Sequence, residues 1–225
     1  MTALKTLPLI PSKAPNLNIA PVDYSQRYQD ELNNALRLYF NQIDNFAYGL
    51  LKDSGGSALS FPYISATDSA TQYATAANTP TVVKWDKNEG SNSFTLNADF
   101  TATALVAGTY KITYSAQLAN NDNAAHDAIF WLRINGTDVA RSTTIFTVPA
   151  RKSAGVPSYV CGYSEVVFDL NPNDKVGLYW GTDQAATSGG ATGIYIYYQA
   201  AQTTPMAYPA TPSVIGSITF VSALY

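Results

Sequence analysis

Leu32, Leu36, Tyr39, Ile43, Phe46 and Leu50 recur at alternating spacings of four and three residues, the seam of a short coiled coil. The spacing predicts one amphipathic helix over about 26–51, opened by Asp23 or Ser25 as a cap and closed before Asp53-Ser54-Gly55-Gly56-Ser57. A helix of about two and a half heptads is marginal alone in water and needs an apolar partner. The seam therefore predicts other copies of the chain, and bulky Tyr39 and Phe46 suit three helices better than a tight pair. The alternative is that the stripe packs on the same chain's β domain.

From about Thr81 the period changes to two. Phe94, Leu96, Ala98 and Phe100 share one face, and Tyr110, Ile112, Tyr114, Ala116 and Leu118 share another, with Lys111, Thr113, Ser115 and Gln117 opposite. These are half-buried antiparallel strands. Phe130, Leu132 and Ile134 run into Asn135-Gly136, a hairpin signal because both central positions of a type I′ turn need φ > 0. Val166, Phe168 and Leu170 run into Asn171-Pro172-Asn173-Asp174 and return through Val176, Leu178 and Trp180, a second hairpin. With Thr81 to Trp85, Thr137 to Thr147, Ile194 to Tyr198 and Val214 to Ser222, eight or nine strands are expected. Many strands joined by turns, with no helical period among them, predict a two-sheet sandwich.

Before the helix, Pro8, Pro11, Pro15 and Pro21 forbid helix among Leu4, Leu7, Leu9, Ile10, Leu17 and Ile19. Such a segment is too apolar for a plain linker and reads as an arm that lies on another surface. The expected organisation is an extended Pro-rich arm (1–22), an amphipathic helix (23–52), a linker (53–78) and a β-sandwich domain (79–225). The fold class is mainly β, an antiparallel sandwich preceded by an arm and one short α-helix.

Composition narrows the chemistry. Charged residues are only 13% of the chain, so its surfaces are built from Thr, Ser, Asn and Ala, which suits close packing against other proteins. No basic stripe exists, which argues against nucleic acid, and no apolar run is long enough for a membrane span. The early apolar stretch is cut by Pro8 and Pro11 and does not read as a signal peptide, so synthesis in a reducing cytoplasm is expected. Cys161 is the only cysteine and reads as a small buried hydrophobe; His126 is the only histidine and reads as a solvated loop residue. One of each cannot make a structural zinc site, and any histidine-based triad would have to use His126. Asn120 to Asn123, and Asp169, Asn171, Asn173 and Asp174, offer oxygen ligands of the kind calcium takes, but these are also the residues of tight turns. No catalytic residue, metal or cofactor is expected, and the chain does not read as an enzyme.

Two resemblances add to this. The segments 107–116, 130–136, 170–176 and 217–221 resemble the tumour-necrosis-factor and complement globular-head jelly roll, over roughly 79–224. That family is trimeric, with jelly rolls side by side and an N-terminal stalk where the heptad seam lies here. Asp23-Tyr24-Ser25-Gln26-Arg27-Tyr28-Gln29, continuing through Leu36-Arg37-Leu38-Tyr39-Phe40-Asn41-Gln42-Ile43-Asp44-Asn45, looks like a stretch met in tailed-bacteriophage virion proteins. Together they imply a structural virion protein on the outer capsid surface, a homotrimeric decoration or cement protein. Its expected partner is the phage major capsid protein, gripped through Leu4, Leu7, Leu9, Ile10, Leu17 and Ile19. Leu32, Leu36, Tyr39, Ile43, Phe46 and Leu50 would hold the trimer. The competing expectation is a head- or tail-fibre tip that binds host-surface glycan, with Tyr63, Tyr73, Tyr159 and Tyr208 as its exposed rings.

Overall fold

The structure is a computed structural model, and it describes residues 15–17, 19, 22–51, 61–187 and 192–224, with side chains 48–51 of the helix left out. The chain divides into two units, Met1–Ser60 and Phe61–Tyr225.

The first unit holds helix α1, Gln26–Leu51, as the heptad spacing predicts. Ser25 is its cap: the Ser25 side chain accepts from the Tyr28 backbone N–H at 3.3 Å, satisfying one of the donors a helix start leaves free. An Arg27–Glu31 pair at 2.9 Å lies on its exposed face.

The second unit carries fourteen strands among the described residues: β1 (Tyr63–Asp68), β2 (Gln72–Tyr73), β3 (Thr81–Val82), β4 (Lys87–Asn92), β5 (Phe94–Leu96), β6 (Ala102–Ala104), β7 (Gly108–Asn120), β8 (His126–Ile134), β9 (Thr137–Asp138), β10 (Thr144–Val148), β11 (Ser158–Leu170), β12 (Lys175–Thr182), β13 (Ile194–Ile196) and β14 (Val214–Ser222). They form two antiparallel sheets. In the first, β11 lines one edge of β7 along its whole length, while the other edge pairs with β14 and then, further along, with β13. Beyond β14 lie β1 and β4, and beyond β13 lies β2. The second sheet runs β10-β8-β12-β6-β5, with β3 also on β12 and β9 also on β8. If β1, β6, β7, β8, β10, β11, β12 and β14 are numbered one to eight, the sheets read 6-3-8-1 and 5-4-7-2, the strand order of a jelly roll.

The alternation read from the sequence places the core. Tyr110, Ile112, Tyr114, Ala116 and Leu118 of β7 all face inward and are buried. They meet Phe130 and Leu132 of β8 and Val176, Leu178 and Trp180 of β12. Phe130 stacks on Tyr114 at 5.6 Å and on Trp180 at 6.0 Å, adding aromatic contact to simple burial. Gly216 of β14 leaves room for Trp85, whose ring fills the space that any Cβ there would need. Asn135 and Gly136 have φ of 51° and 81°, the left-handed pair that the hairpin signal requires.

Three expectations change. The linker assigned to 53–78 is in part sandwich: Tyr63–Asp68 pairs with β14 from Tyr63↔Thr219 to Asp68↔Val214, so the β domain begins near Phe61. The strand expected over Thr137 to Thr147 is two, β9 and β10, because Arg141 turns the chain at φ 66°. The strand expected over Thr81 to Trp85 is regular only at β3, with one further backbone bond to β12 from Val83 N to Leu178 O at 2.8 Å.

Candidate interaction surfaces

Helix α1 presents an apolar stripe that is at most half-buried among the described residues. Leu32, Leu36, Tyr39 and Ile43 are half-buried, and among the described helix side chains none is buried. Tyr28, Ala35 and Ala47 continue the same stripe. Phe46 departs from the expected seam, at 45% exposure, and Leu38 and Phe40 are exposed beside it; the side chain of Leu50 lies outside the described residues. Of the expected arm contacts, Leu4, Leu7, Leu9 and Ile10 lie outside the described residues. Ile19 is 96% exposed, and Leu17 with Asn16 lines a small cavity against Tyr28, Glu31, Leu32 and Ala35, over the first turns of the seam.

The outer face of the first sheet is a second uncovered surface. On β11 the odd-numbered residues point outward: Tyr163 is 59% exposed, and Tyr159 and Val167 are exposed with it. The register lines up Tyr163, Ser115 and Ile215 in one cross-strand row, and Val167, Lys111, Thr219 and Tyr63 in another. The sheet's ion pairs are internal, Lys111 to Glu165 at 3.6 Å and Lys87 to Glu89 at 2.9 Å. Thr113 and Ser217 hydroxyls bond each other at 2.8 Å. Small hydroxyl residues with scattered exposed Tyr, Val and Ile make a surface with little free charge.

Cys161 lies on this same outward phase and is exposed, not buried as its strand-like surroundings suggested. Its sulfur accepts from Gln117 Nε2 at 3.7 Å. The phase follows from Phe168 and Leu170, which take the inward positions and so set every odd residue outside.

The third surface is the end of the β domain furthest from Phe61. Phe61 stacks on Phe220 at 6.3 Å, beside the first residues of β7. The far end of β7 lies roughly 30 Å away at about 3.3 Å per residue. Buried Asn120 organises the loops there. Its Nδ2 donates to the carbonyls of Ala124 (2.8 Å), Val148 (3.3 Å) and Pro149 (3.0 Å), and its Oδ1 accepts from the Asp122 N–H at 2.7 Å.

His126, expected as a solvated loop residue, is instead the first residue of β8, with only 15% of its side chain exposed. Nδ1 meets Asp183 at 3.0 Å and Nε2 meets Asp122 at 3.2 Å. Burial disfavours the charged ring, but the Asp183 and Asp122 carboxylates outweigh it and hold the His126 pKa above its ordinary value. The histidine is thereby a clamp between two loops.

At the same end five tyrosines gather. Tyr73 stacks on Tyr195 at 5.7 Å, Tyr195 meets Tyr197 edge-on at 6.0 Å, and Tyr197 meets Tyr159 at 5.2 Å. Tyr208 is brought in by the Gln199↔Thr211 and Gln202↔Tyr208 bridges. Burial, and then the neighbouring phenols, raise the pKa values of Tyr159, Tyr195 and Tyr197, with Tyr208 among the groups acting on Tyr159 and Tyr197. Three of the four rings expected for glycan therefore come together; Tyr63 stands on β1, near the opposite end. Tyr195 and Tyr197 were missed. The alternation Ile194-Tyr195-Ile196-Tyr197, with both isoleucines toward the core, would have put them on one outer face.

Among the described residues no group of three or more His, Cys, Asp or Glu could hold a metal ion. The oxygens of the 169–174 turn bond locally: Asp174 accepts from Asn171 N at 2.7 Å and from Asn135 Nδ2 at 2.7 Å, and Asp169 accepts from Thr109 at 2.7 Å. No described helix is long and apolar enough to cross a membrane. No protein-family model matches the chain, and no curated protein matches its sequence.

Proposed function

We propose that this chain is a homotrimeric decoration protein of a tailed-bacteriophage particle, bound to the major capsid protein on the outer surface of the shell. The observation that carries the reading is helix α1, an apolar stripe at heptad spacing in which no described side chain is buried. Two further copies of the same stripe complete it. The hydroxyl-rich face of the β11-containing sheet gives the three jelly rolls a matching surface on which to meet, with Lys111 and Glu165 already neutralising each other.

The apolar arm then acts as the grip. Each arm buries apolar area worth roughly 25 cal/mol per Å², and three arms on one trimer bind together, multiplying weak contacts by about 10²–10⁴. The role is one of additive contact and needs no reacting group. The test is co-sedimentation of the full chain, and of a chain lacking residues 1–22, with undecorated shells. The full chain is expected to pellet with shells, and the truncated chain to remain a folded trimer in the supernatant. A truncated chain that still decorates shells contradicts the role of the arm.

A further inference from the structure

The far end of the β domain holds a ring cluster that the jelly roll's main core does not use. Tyr195 packs with Ala119 and Ala186 in a small cluster of its own, to which Tyr73 and Tyr197 add their rings. Tyr159 is 48% exposed and Tyr208 is also exposed, so the outer members of the group offer ring surface to solvent. Around them stand hydrogen-bonding groups of one kind. Asn121 Nδ2 donates to the Tyr195 hydroxyl at 3.4 Å, the Tyr197 hydroxyl donates to Gln199 Oε1, and Gln202 Nε2 donates to the Ala200 carbonyl at 3.0 Å. The Lys152 ammonium lies over the Tyr159 ring, 5.7 Å from its centre.

The geometry points to a neutral-saccharide site at this end, built on the rings of Tyr159, Tyr197 and Tyr208 and edged by the side-chain amides of Asn121 and Gln199. Three features select that ligand class. Exposed phenol faces suit the C–H face of a pyranose, which presents apolar surface without charge. Amides both donate and accept, as sugar hydroxyls do. Among the described residues no carboxylate bonds these phenols, and the two nearby cations are already engaged, Lys152 over the Tyr159 ring and Arg151 with the Asn121 carbonyl at 3.3 Å, which favours an uncharged sugar over an acidic one. The position is also suitable. The chain joins the domain at Phe61, beside the first residues of β7, and the rings stand beside its last, at Ala119. The site stands whether or not the arm grips a shell.

The test is an array of neutral oligosaccharides beside their sialylated and sulfated counterparts, probed with the full chain. Binding to neutral members is expected, with Tyr159→Ala and Tyr208→Ala each weakening it by about tenfold or more. Tyr159→Phe, which keeps the ring, should retain most of it, and Tyr63→Ala at the opposite end should change nothing. Unchanged melting temperatures separate lost binding from lost folding, and unchanged shell co-sedimentation of Tyr159→Ala separates this site from the arm. Binding confined to acidic members, no binding at all, or binding untouched by both alanine variants would overturn the inference.

Discussion

Helix α1 and the β domain bury their apolar residues in opposite ways. In the β domain, alternate residues of β7 and β12 face a second sheet of the same chain, and Tyr110, Leu118, Leu132 and Trp180 are all but inaccessible. In the helix, the equivalent apolar positions stop at half-buried. A sandwich supplies its own partner surface because its strands return antiparallel to one another, whereas a single helix has one stripe and nothing of its own to close it. The contrast teaches that the β domain closes its core within one chain, whereas the described helix stripe stays half-buried.

Four changes test that contrast, from the largest effect on stability to the smallest. Trp180→Ala removes the ring beneath Phe130 and should cost about 3–5 kcal/mol, lowering the melting temperature by on the order of 10 °C, with loss of cooperativity in near-UV circular dichroism. Asn120→Ala strips three loop carbonyls of their shared donor and should cost about 1–3 kcal/mol. Its signature is faster amide exchange in 121–126 and 148–150, with the sheet centre unchanged.

The clamp at His126 gives a smaller, pH-dependent effect. A histidine whose folded pKa is raised contributes stability that is fully present below its unfolded pKa and lost as pH rises through the folded value. The melting temperature should therefore fall by a few degrees between about pH 6 and pH 8, and His126→Gln should flatten that slope. The carboxylates of Asp122 and Asp183 are held below their ordinary range, so their contribution disappears only in acid. Smallest for the β domain is Leu36→Asp with Ile43→Asp on the helix. That pair should abolish helical ellipticity while moving the sandwich transition by about 5 °C or less.

Legibility followed the range of the interactions. Helix α1 was readable to its ends because capping, heptad spacing and terminating glycines are all local. The long strands β7, β12 and β14 were readable because a period of two, sustained over eight or more residues, marks a strand with one face in a core. Tyr63–Asp68 was lost in the linker because only Ile64 of its inward set is a large apolar residue: Ala66 barely marks a core position, and buried Asp68 contradicts one. Asp68 is held by Ala70 N at 2.7 Å and by Ser213 Oγ at 3.1 Å, and the second is a partner that no local window contains. Burial raises its pKa. Cys161 was misplaced although the register was readable, since counting back in twos from Leu170 lands on Gly162 and leaves Cys161 outside. The tyrosine cluster draws on positions 73, 159, 195, 197 and 208, and the His126 clamp on 122, 126 and 183. Only the jelly-roll crossings bring those residues together, so sequence spacing could nominate some members but not the site.

The most direct test of the trimer is the solution mass of the full chain by light scattering, at concentrations spanning two decades. The exposed heptad stripe predicts a mass three times that of the chain. A monomer mass throughout, with α1 still helical by circular dichroism, would contradict it.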